Sequence, residues 1–341
     1  MKKTLIAASI AALTATSANA AVKLYESETG SFSSYGKVQL ELQNFDGENN
    51  IQNQGSRLGF AGDTKLDNGL TAFTNFEFRF NPGVQNNVKA NAADGGEWTV
   101  RNSYLGVKGD FGSVKAGNFD SITYTMVTEQ ADIMENAGYR SLDGGDVNSR
   151  GTAIAYETND ISGFKFGLGI KHYASDDSAY GTGTGTPAAS KLTSGTGDEV
   201  WNIQAAATYS LNEELSFGLA FDQNNEDGNP AAAQANGDFD PIIAASVNYA
   251  TDAFGAGLVL ENSGDYMVAN LTGSVNYGAG DVYALVSFMD NDVDTGVDFG
   301  LGVNYKMAKN FVTYGEVAVG NDKVSDVGDL SIVTVGAAYK W

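Results

Sequence analysis

The side chains that could do chemistry in this chain are mainly charged residues placed at alternate positions of apolar segments. They include Lys37, Glu41, Arg57, Glu77, Arg79 and Arg101. Charged groups of this kind attract or repel ions and orient dipolar molecules. Two unit charges ~10 Å apart interact by ~0.4 kcal/mol in bulk water and ~1.7 kcal/mol at an effective dielectric constant of about 20. Energies of that size change the choice between ions several-fold without making an absolute filter.

Residues typical of covalent catalysis or of metal binding are scarce. His172 is the single histidine and no nucleophile motif accompanies it, so we predict no catalytic residue. The segment from Asp290 to Gly296 resembles a calcium-binding loop, but its glycine stands one place late and Leu301 occupies the position of the bidentate glutamate. The run 181–185, rich in glycine and threonine, lacks the strand-then-helix context of a nucleotide site. The sequence therefore predicts no metal site and no cofactor.

The first twenty residues have the organisation of a cleaved export signal. Two lysines supply a basic start, an apolar run follows from Leu5 to Leu13, and Ala18-Asn19-Ala20 forms a small-residue cleavage site. The apolar run is too short to span a bilayer as a helix. We therefore expect a signal peptide over 1–20 and a single-domain mature chain over 21–341.

Composition excludes several classes of function. The whole chain has 20 basic and 42 acidic residues, a net charge of -22, and loss of the leader with its two lysines would bring this to about -24. Such acidity argues against nucleic acid as a partner. The absence of cysteine excludes disulfide bonds and thiol chemistry. After residue 20 no apolar run approaches ~18 residues, so we expect no transmembrane helix in the mature chain.

The last eleven residues, Ser331 to Trp341, show the clearest periodicity in the chain. The alternate positions hold Val333, Val335, Ala337, Tyr339 and Trp341, with smaller and more polar residues between them. A period of two predicts a β-strand with two unlike faces. Eleven residues at ~3.3 Å each, tilted by ~45°, rise ~25 Å, which is the height of the apolar band on an outer-membrane barrel. The segment is therefore predicted to cross a membrane as a strand.

The same alternation predicts sixteen strands. Their approximate bounds are 35–44, 55–64, 69–80, 97–108, 112–119, 149–158, 163–173, 199–210, 214–223, 240–250, 253–261, 265–277, 280–290, 295–306, 309–320 and 330–341. Short turns alternate with longer acidic or glycine-rich connections, chiefly 45–54, 81–96, 120–148, 174–198, 224–239 and 321–329. Short turns at one rim and long loops at the other are typical of outer-membrane barrels.

The predicted sheet is too large to remain open, because its edges would aggregate and closure removes them. The apolar face would then point to lipid, where a charge such as Arg57 would cost ~2–4 kcal/mol at the bilayer midplane. The fold class that we predict is all-β, a transmembrane antiparallel β-barrel of about sixteen strands, wide enough for an aqueous channel. A secreted soluble β-sandwich is the alternative, which the strand length and the loop asymmetry disfavour.

The longest connection, 120–148, combines acids with apolar residues. Its apolar residues include Ile122, Met126, Ile133 and Met134. Connections beyond ~15 residues without regular structure are usually functional or disordered. A free loop would not need these apolar side chains, so we expect this one to pack against another part of the chain.

Several local runs resemble the general porins, the non-specific diffusion channels of Gram-negative outer membranes. They are Tyr35-Gly36-Lys37, Ser56 to Phe60, Val100 to Gly106, Gly109 to Gly112, Ala131 to Glu135, and Arg150 at the start of the sixth strand. The resemblance covers most of the mature length. It implies that the long third loop folds into the lumen, where its acids face basic residues of the wall and narrow the channel.

By position, the implied basic wall of the constriction consists of Lys37, Arg57, Arg101 and Arg150, and the implied loop acids are Asp132 and Glu135. The chain departs from the family in ending on Trp341 rather than phenylalanine, and in carrying Asn118 where some relatives have another arginine. From the residues alone, the alternative interpretation is that these are merely solvated charges of the wall.

Pattern and resemblance together predict an outer-membrane channel for passive diffusion of small hydrophilic solutes and ions, with a mild cation preference from the acidic surplus. The resemblance implies a homotrimer surrounded by outer-membrane lipid and lipopolysaccharide. We expect no enzymatic activity, cofactor, metal or nucleic-acid partner. Two different functions also fit the pattern: a solute-specific channel for a sugar or an anion, and a plugged, adhesin-like structural barrel.

Overall fold

Alternation of apolar and polar side chains brings most of the residues that the structure describes into β-strands. The computed structural model describes residues 21–81, 97–136, 139–142, 151–173, 200–223, 240–322 and 328–341. The predicted signal peptide, the predicted wall residue Arg150 and most of the long predicted connections lie outside the described residues.

The described residues form eighteen strands, all paired antiparallel. Their bounds are β1 Val22–Glu26, β2 Gly30–Phe45, β3 Glu48–Asn53, β4 Arg57–Lys65, β5 Thr71–Asn81, β6 Glu97–Gly109, β7 Gly112–Phe119, β8 Gly151–Glu157, β9 Phe164–Tyr173, β10 Val200–Ser210, β11 Leu215–Asp222, β12 Ile242–Ala250, β13 Phe254–Ser263, β14 Tyr266–Asn276, β15 Asp281–Asp290, β16 Thr295–Ala308, β17 Phe311–Asp322 and β18 Gly328–Lys340.

The strands close into a ring because β4 pairs with β2, each strand from β4 to β17 pairs with the next in sequence, and β18 pairs back onto β2. Two positions of the ring are each shared by two strands. On one side of β2, β18 pairs with its second half and β1 with its first half. On the other side, β3 and β4 divide β2 in the same way. The eighteen strands therefore occupy sixteen positions, which confirms the predicted sixteen-strand barrel.

The backbone hydrogen bonds between neighbouring strands continue without a break where β18 meets β2. The backbone N–H of Gly36 donates to the carbonyl of Trp341 at 2.9 Å, and the N–H of Trp341 donates to the carbonyl of Gly36 at 3.1 Å. Beyond this pair Val22 of β1 stands opposite Ser34 of β2. The last residue of the chain therefore lies within the sheet and leaves no open edge beside β2.

The predicted connection 45–54 is wrong in its extent. The chain turns at Asp46 and Gly47, whose φ angles are both positive (49° and 87°), and then returns along β2 as β3. Positive φ at both central residues is characteristic of a tight type I′ hairpin turn. The segment of β3 is mostly polar, so alternation alone did not reveal it, and β1 was missed as well.

The two faces of the sheet are inverted relative to a soluble protein. Along β13 exposed and buried residues alternate throughout, with Leu258 and Leu260 on the exposed face and Glu261 buried on the other. On β16 the apolar residues Val297 and Phe299 are exposed while Asp298 is 2% exposed. An exposed apolar exterior and a polar interior are what a lipid-facing barrel with a wet lumen requires. None of the described helical turns is long and apolar enough to cross a membrane.

We expect the cost of an arginine on the exposed face to depend on its depth along the strand. Leu271 lies at the middle of β14 and Val275 near its end, and both are exposed on the same face (56% and 58%). Leu271→Arg should lower the free energy of unfolding by ~2–4 kcal/mol, whereas Val275→Arg should lower it by ~0–1 kcal/mol. Urea titration of each variant refolded into lipid vesicles measures the difference. Equal costs at the two depths would contradict a membrane-spanning β14.

Candidate functional site

Five basic residues follow one another across neighbouring strands at one level of the inner face. Lys340 of β18 stands opposite Lys37 of β2, Lys37 stands opposite Arg57 of β4, and Arg57 stands opposite Arg79 of β5. Arg101 of β6 completes the set, which we call the basic row. Side chains at directly opposite positions are ~5 Å apart at Cβ, so like charges there repel unless acids offset them.

Arg101 reaches this row through a β-bulge. Glu77 pairs with Asn102, but the next residue, Phe78, pairs with Val100, so Arg101 is an extra residue on its strand. A bulge of this kind re-aims the side chain and bends the strand locally. It allows the Arg101 Nε atom to lie 2.7 Å from the carboxylate of Glu77. Simple alternation predicts the inward direction of Arg101 but not this contact.

Glu77 is the acid placed within the basic row. Its Oε1 atom lies 2.7 Å from Arg101 Nε and 3.7 Å from Arg57 Nη1, and the residue is 5% exposed. One carboxylate shared between two guanidinium groups offsets part of the repulsion along the row. Because the group is removed from solvent, this interaction is screened less by salt than an ion pair on the surface.

The connection between β7 and β8 packs its apolar side chains on small residues of the inner face. It begins with a π-helical turn, Tyr124–Thr128, followed by a 3-10 turn, Glu129–Ala131. Ile122 and Val127 belong to a buried apolar cluster with alanines of four strands: Ala155, Ala206, Ala220 and Ala244. Further on, Ile133 and Met134 form a second cluster with Tyr283 and Leu285 of β15. These contacts account for the apolar residues that the sequence places in this connection.

Glu135 and Asn136, which we call the loop tip, are held by polar groups of β17 and β2. The N–H of Glu135 lies 3.1 Å from both carboxylate oxygens of Glu316. The amide of Asn136 donates to Glu41 at 2.9 Å and accepts from Gln43 at 2.9 Å. Both the backbone and a side chain of the tip are therefore fixed to the wall.

The loop tip also approaches the basic row. The Lys37 Nζ atom lies 3.9 Å from the carboxylate of Glu135, at the outer limit of an ion pair. Lys37 is 8% exposed and donates a hydrogen bond to Gln39 on its own strand. The side-chain amide of Gln54 donates a hydrogen bond to the backbone carbonyl of Glu135.

The connection is attached to the wall a second time beyond the loop tip, at residues of β13, β14 and β16, and we call these contacts the second anchor. Arg140 Nε lies 2.5 Å from a carboxylate oxygen of Asp298, and the Asn270 side chain donates to the Arg140 carbonyl at 2.8 Å. The N–H of Leu142 donates to Glu261 at 2.8 Å. Asp298, Asn270 and Glu261 are each at most 2% exposed. Buried carboxylates of the wall thus bind polar groups of the connection both at the loop tip and at this second anchor.

The structure brings together some of the predicted site residues. Lys37, Arg57 and Arg101 share the basic row, and Glu135 reaches Lys37. Asp132 accepts a hydrogen bond from the hydroxyl of Tyr124 within the same connection, at 2.8 Å. Sequence analysis named Glu41, Glu77 and Arg79 among the charged residues without assigning them to the constriction, and it did not select Lys340 or Glu316. The signal that would place all five at the site is the strand register.

Comparison with known proteins agrees with this geometry. A family model described as Gram-negative porin matches residues 7–325 of the chain. The monosaccharide porin of a Halomonas species is 26% identical over 317 residues, which cover 86% of this chain and 81% of that protein. Outer membrane porin N of Escherichia coli K12 is 26% identical over 363 residues, covering 99% of this chain and 89% of its own.

Solved structures show the same fold. The anion-selective porin from Comamonas acidovorans superposes with a TM-score of 0.69 at 20% sequence identity, over 92% of this chain and the whole of that one. At this level of identity the likeness concerns the path of the backbone. It supports a closed barrel of the same architecture.

We expect Arg140→Ala to release the second anchor without opening the barrel. Removing one partner of a buried ion pair leaves the other charge uncompensated, at a cost of ~3–5 kcal/mol. The variant should therefore show faster amide exchange in residues 139–142, measured by hydrogen–deuterium exchange with mass spectrometry, while the strands stay protected.

The matched control is Arg140→Ala combined with Asp298→Ala, which removes both charges. This double variant should be less destabilised than Arg140→Ala alone. If the single and the double variant lose equal stability, the Arg140–Asp298 pair does not hold the connection.

Proposed function

The chain belongs to the family of Gram-negative porins, which are outer-membrane channels, and from this premise we propose that it lets small hydrophilic solutes and ions diffuse passively, with a mild preference for cations. The inner face supports this proposal, because its buried positions carry polar and charged residues such as Gln39, Glu41, Asn202 and Asp298. A polar lumen inside an apolar exterior suits aqueous passage across lipid.

The observation that carries the proposed constriction is the series of inner-face contacts that the β7–β8 connection makes. Val127 lies beside Gly218 of β11, Met134 packs with Leu285 of β15, and Glu135 binds Glu316 of β17. These contacts follow the inner side of the sheet from β11 to β17, so the connection occupies space that would otherwise belong to the lumen. We infer that it narrows the lumen beside the basic row.

We propose that the charged constriction is formed where this connection meets the basic row. Its basic wall and its loop acids are the residues that the sequence predicts, with Lys37, Arg57, Arg101 and Arg150 on one side and Asp132 and Glu135 on the other. We also propose a cleaved signal peptide over 1–20, a barrel domain over 21–341 and a homotrimer in outer-membrane lipid and lipopolysaccharide. We propose no enzymatic activity for this channel.

The cation preference rests on the surplus of acids, 42 against 20 basic residues in the whole chain. A surplus of one sign raises the local concentration of the opposite ion at the mouths of a channel. Salt screens this effect over ~8 Å at physiological ionic strength, so the preference should be mild.

An anion preference is the second candidate, and the basic row favours it. Four of its members lie on the adjacent strands β18, β2, β4 and β5 and Arg101 lies on β6, with Glu77 as the acid placed among them. If the narrowest part of the lumen decides the selectivity, this row would outweigh the distant acids.

We expect the reversal potential to have the cation-selective sign in a KCl gradient across a planar bilayer. A perfectly selective channel in a tenfold gradient would reach about 59 mV, and the value here should be well below that. Single-channel recording in the same bilayer should show large ohmic steps that close in threes. A chloride-selective sign would replace the cation preference with the anion preference.

A solute-specific channel and a plugged barrel would give different records in the same bilayer. Small steps blocked by one sugar would indicate a solute-specific channel. Insertion without conductance would indicate a plugged structural barrel and would overturn the proposed function.

We expect Glu77→Gln to move the reversal potential toward chloride, because it removes the carboxylate shared by Arg57 and Arg101. Two charges a few Å apart in a site with an effective dielectric constant of about 20 interact by several kcal/mol, so the shift should be readily measurable. Glu213→Gln is the control, since it removes the same charge from the exposed turn before β11. A shift of the same size in both variants would mean that total charge, and not the basic row, sets the selectivity.

A further inference from the structure

A three-residue arrangement recurs across neighbouring strands of the inner face. A tyrosine on one strand stands opposite a glycine on the next, and that glycine stands opposite a glutamate on the strand after it. The three units are Tyr283–Gly302–Glu316 on β15, β16 and β17, Tyr314–Gly336–Glu41 on β17, β18 and β2, and Tyr35–Gly59–Glu77 on β2, β4 and β5. The residues of a unit are adjacent only through the register, because they are far apart in sequence.

The glycine of each unit makes room for the tyrosine ring. A Cβ atom added at Gly302 would overlap the ring of Tyr283, and the same holds for Gly336 with Tyr314 and for Gly59 with Tyr35. Each ring therefore lies across the glycine of the neighbouring strand. Its hydroxyl is directed past that strand toward the third member of the unit.

In two units the hydroxyl binds the glutamate. Tyr283 donates to Glu316 at 2.7 Å, and Tyr314 donates to Glu41 at 2.9 Å. Tyr314 in turn accepts from the amide of Gln39 at 2.8 Å, which fixes the direction of its own hydroxyl hydrogen. Both carboxylates are buried, so a hydrogen bond to them contributes more than one on the surface.

These two carboxylates are the ones that hold the loop tip. Glu316 receives the N–H of Glu135 at 3.1 Å and Glu41 receives the Asn136 side chain at 2.9 Å. Both distances are shorter than the 3.9 Å between the charged atoms of Lys37 and Glu135. Hydrogen bonds to buried carboxylates therefore hold the tip at closer range than the ion pair with the basic row.

The third unit differs in its hydroxyl contact and serves the opposite side of the site. The Tyr35 hydroxyl donates a hydrogen bond to the Asn75 side chain at 2.9 Å, and Glu77 forms ion pairs with Arg57 and Arg101. Its geometry places an acid at the basic row in the same way as the other two place acids at the loop tip.

We propose that Tyr283 and Tyr314 are positioning residues of the channel. Their hydroxyls hold Glu316 and Glu41 in the orientation that receives the loop tip, and thereby keep the aperture constant while the channel conducts. This inference rests on the proposed function, since it assigns a role within the constriction. Loss of the hydroxyls frees the carboxylates to rotate and lets the tip leave the wall intermittently.

The test is the double variant Tyr283→Phe and Tyr314→Phe, studied by single-channel recording. Phenylalanine keeps the ring on its glycine, so the barrel should assemble as before. Each lost hydroxyl should raise the rate of transitions to partly closed states about fivefold, the factor that corresponds to one ordinary hydrogen bond. Tyr305→Phe is the control, because this tyrosine of β16 lies on the outer face with 49% of its surface exposed, and it should leave the record unchanged.

A reversible cross-link separates a role at the loop tip from a general loss of rigidity. The chain has no cysteine, so Gln43→Cys and Asn136→Cys introduced into the double variant form a unique pair. A short bis-methanethiosulfonate reagent joining these two positions should restore the quiet record, and a reductant should abolish the rescue. A variant that stays noisy after cross-linking would overturn the proposal.

Two further outcomes distinguish a failure of the role of the tyrosines from a failure of the proposed channel function. A wild-type channel that conducts, together with a double variant as quiet as wild type, would overturn the role of the tyrosines and leave the proposed function intact. A wild-type protein that inserts without conducting would overturn both. If the double variant does not fold, each single variant carries the same test, and faster amide exchange at Glu135 is its second measurement.

Discussion

The need to pair every backbone N–H and C=O group inside lipid governs this structure. No water is available in the hydrocarbon layer to satisfy an unpaired group, so a sheet that spans it must close on itself. The closure occurs where β18 meets β2, and the last residue, Trp341, exchanges two backbone hydrogen bonds with Gly36 at this junction. Beyond this junction β1 pairs with the first half of β2, on the same side as β18.

Closure with lipid outside also inverts the usual distribution of side chains, and the site follows from that inversion. The apolar residues of each strand serve the exterior, which leaves the inner positions free for charged groups that a soluble core would exclude. A connection that packs against such an inner face needs two kinds of support. Small residues such as Ala220 and Ala244 receive its apolar side chains, whereas buried carboxylates such as Glu316 and Glu261 receive its backbone N–H groups.

The charged site illustrates how far local pattern reaches. Alternation placed Lys37 and Arg57 on the inner face, and the resemblance to porins supplied Asp132 and Glu135 as loop acids. Glu135 reaches the basic row, and Asp132 binds Tyr124 within the connection. The position of each acid depends on how the connection folds across many strands, and no period in its own sequence records that path.

The sequence by itself determined most of the strand segments, with β1 and β3 as the exceptions, together with the apolar face of those strands and a sheet large enough to close. These properties depend on residues two positions apart on one strand, so the chain shows them directly. The tertiary structure alone decided that Lys340 and Arg79 extend the basic row, that Arg101 joins it through a bulge, and that tyrosine, glycine and glutamate meet in three units. Those contacts join residues of different strands, and their register is set by hairpin geometry and ring closure, which act on the whole sheet at once.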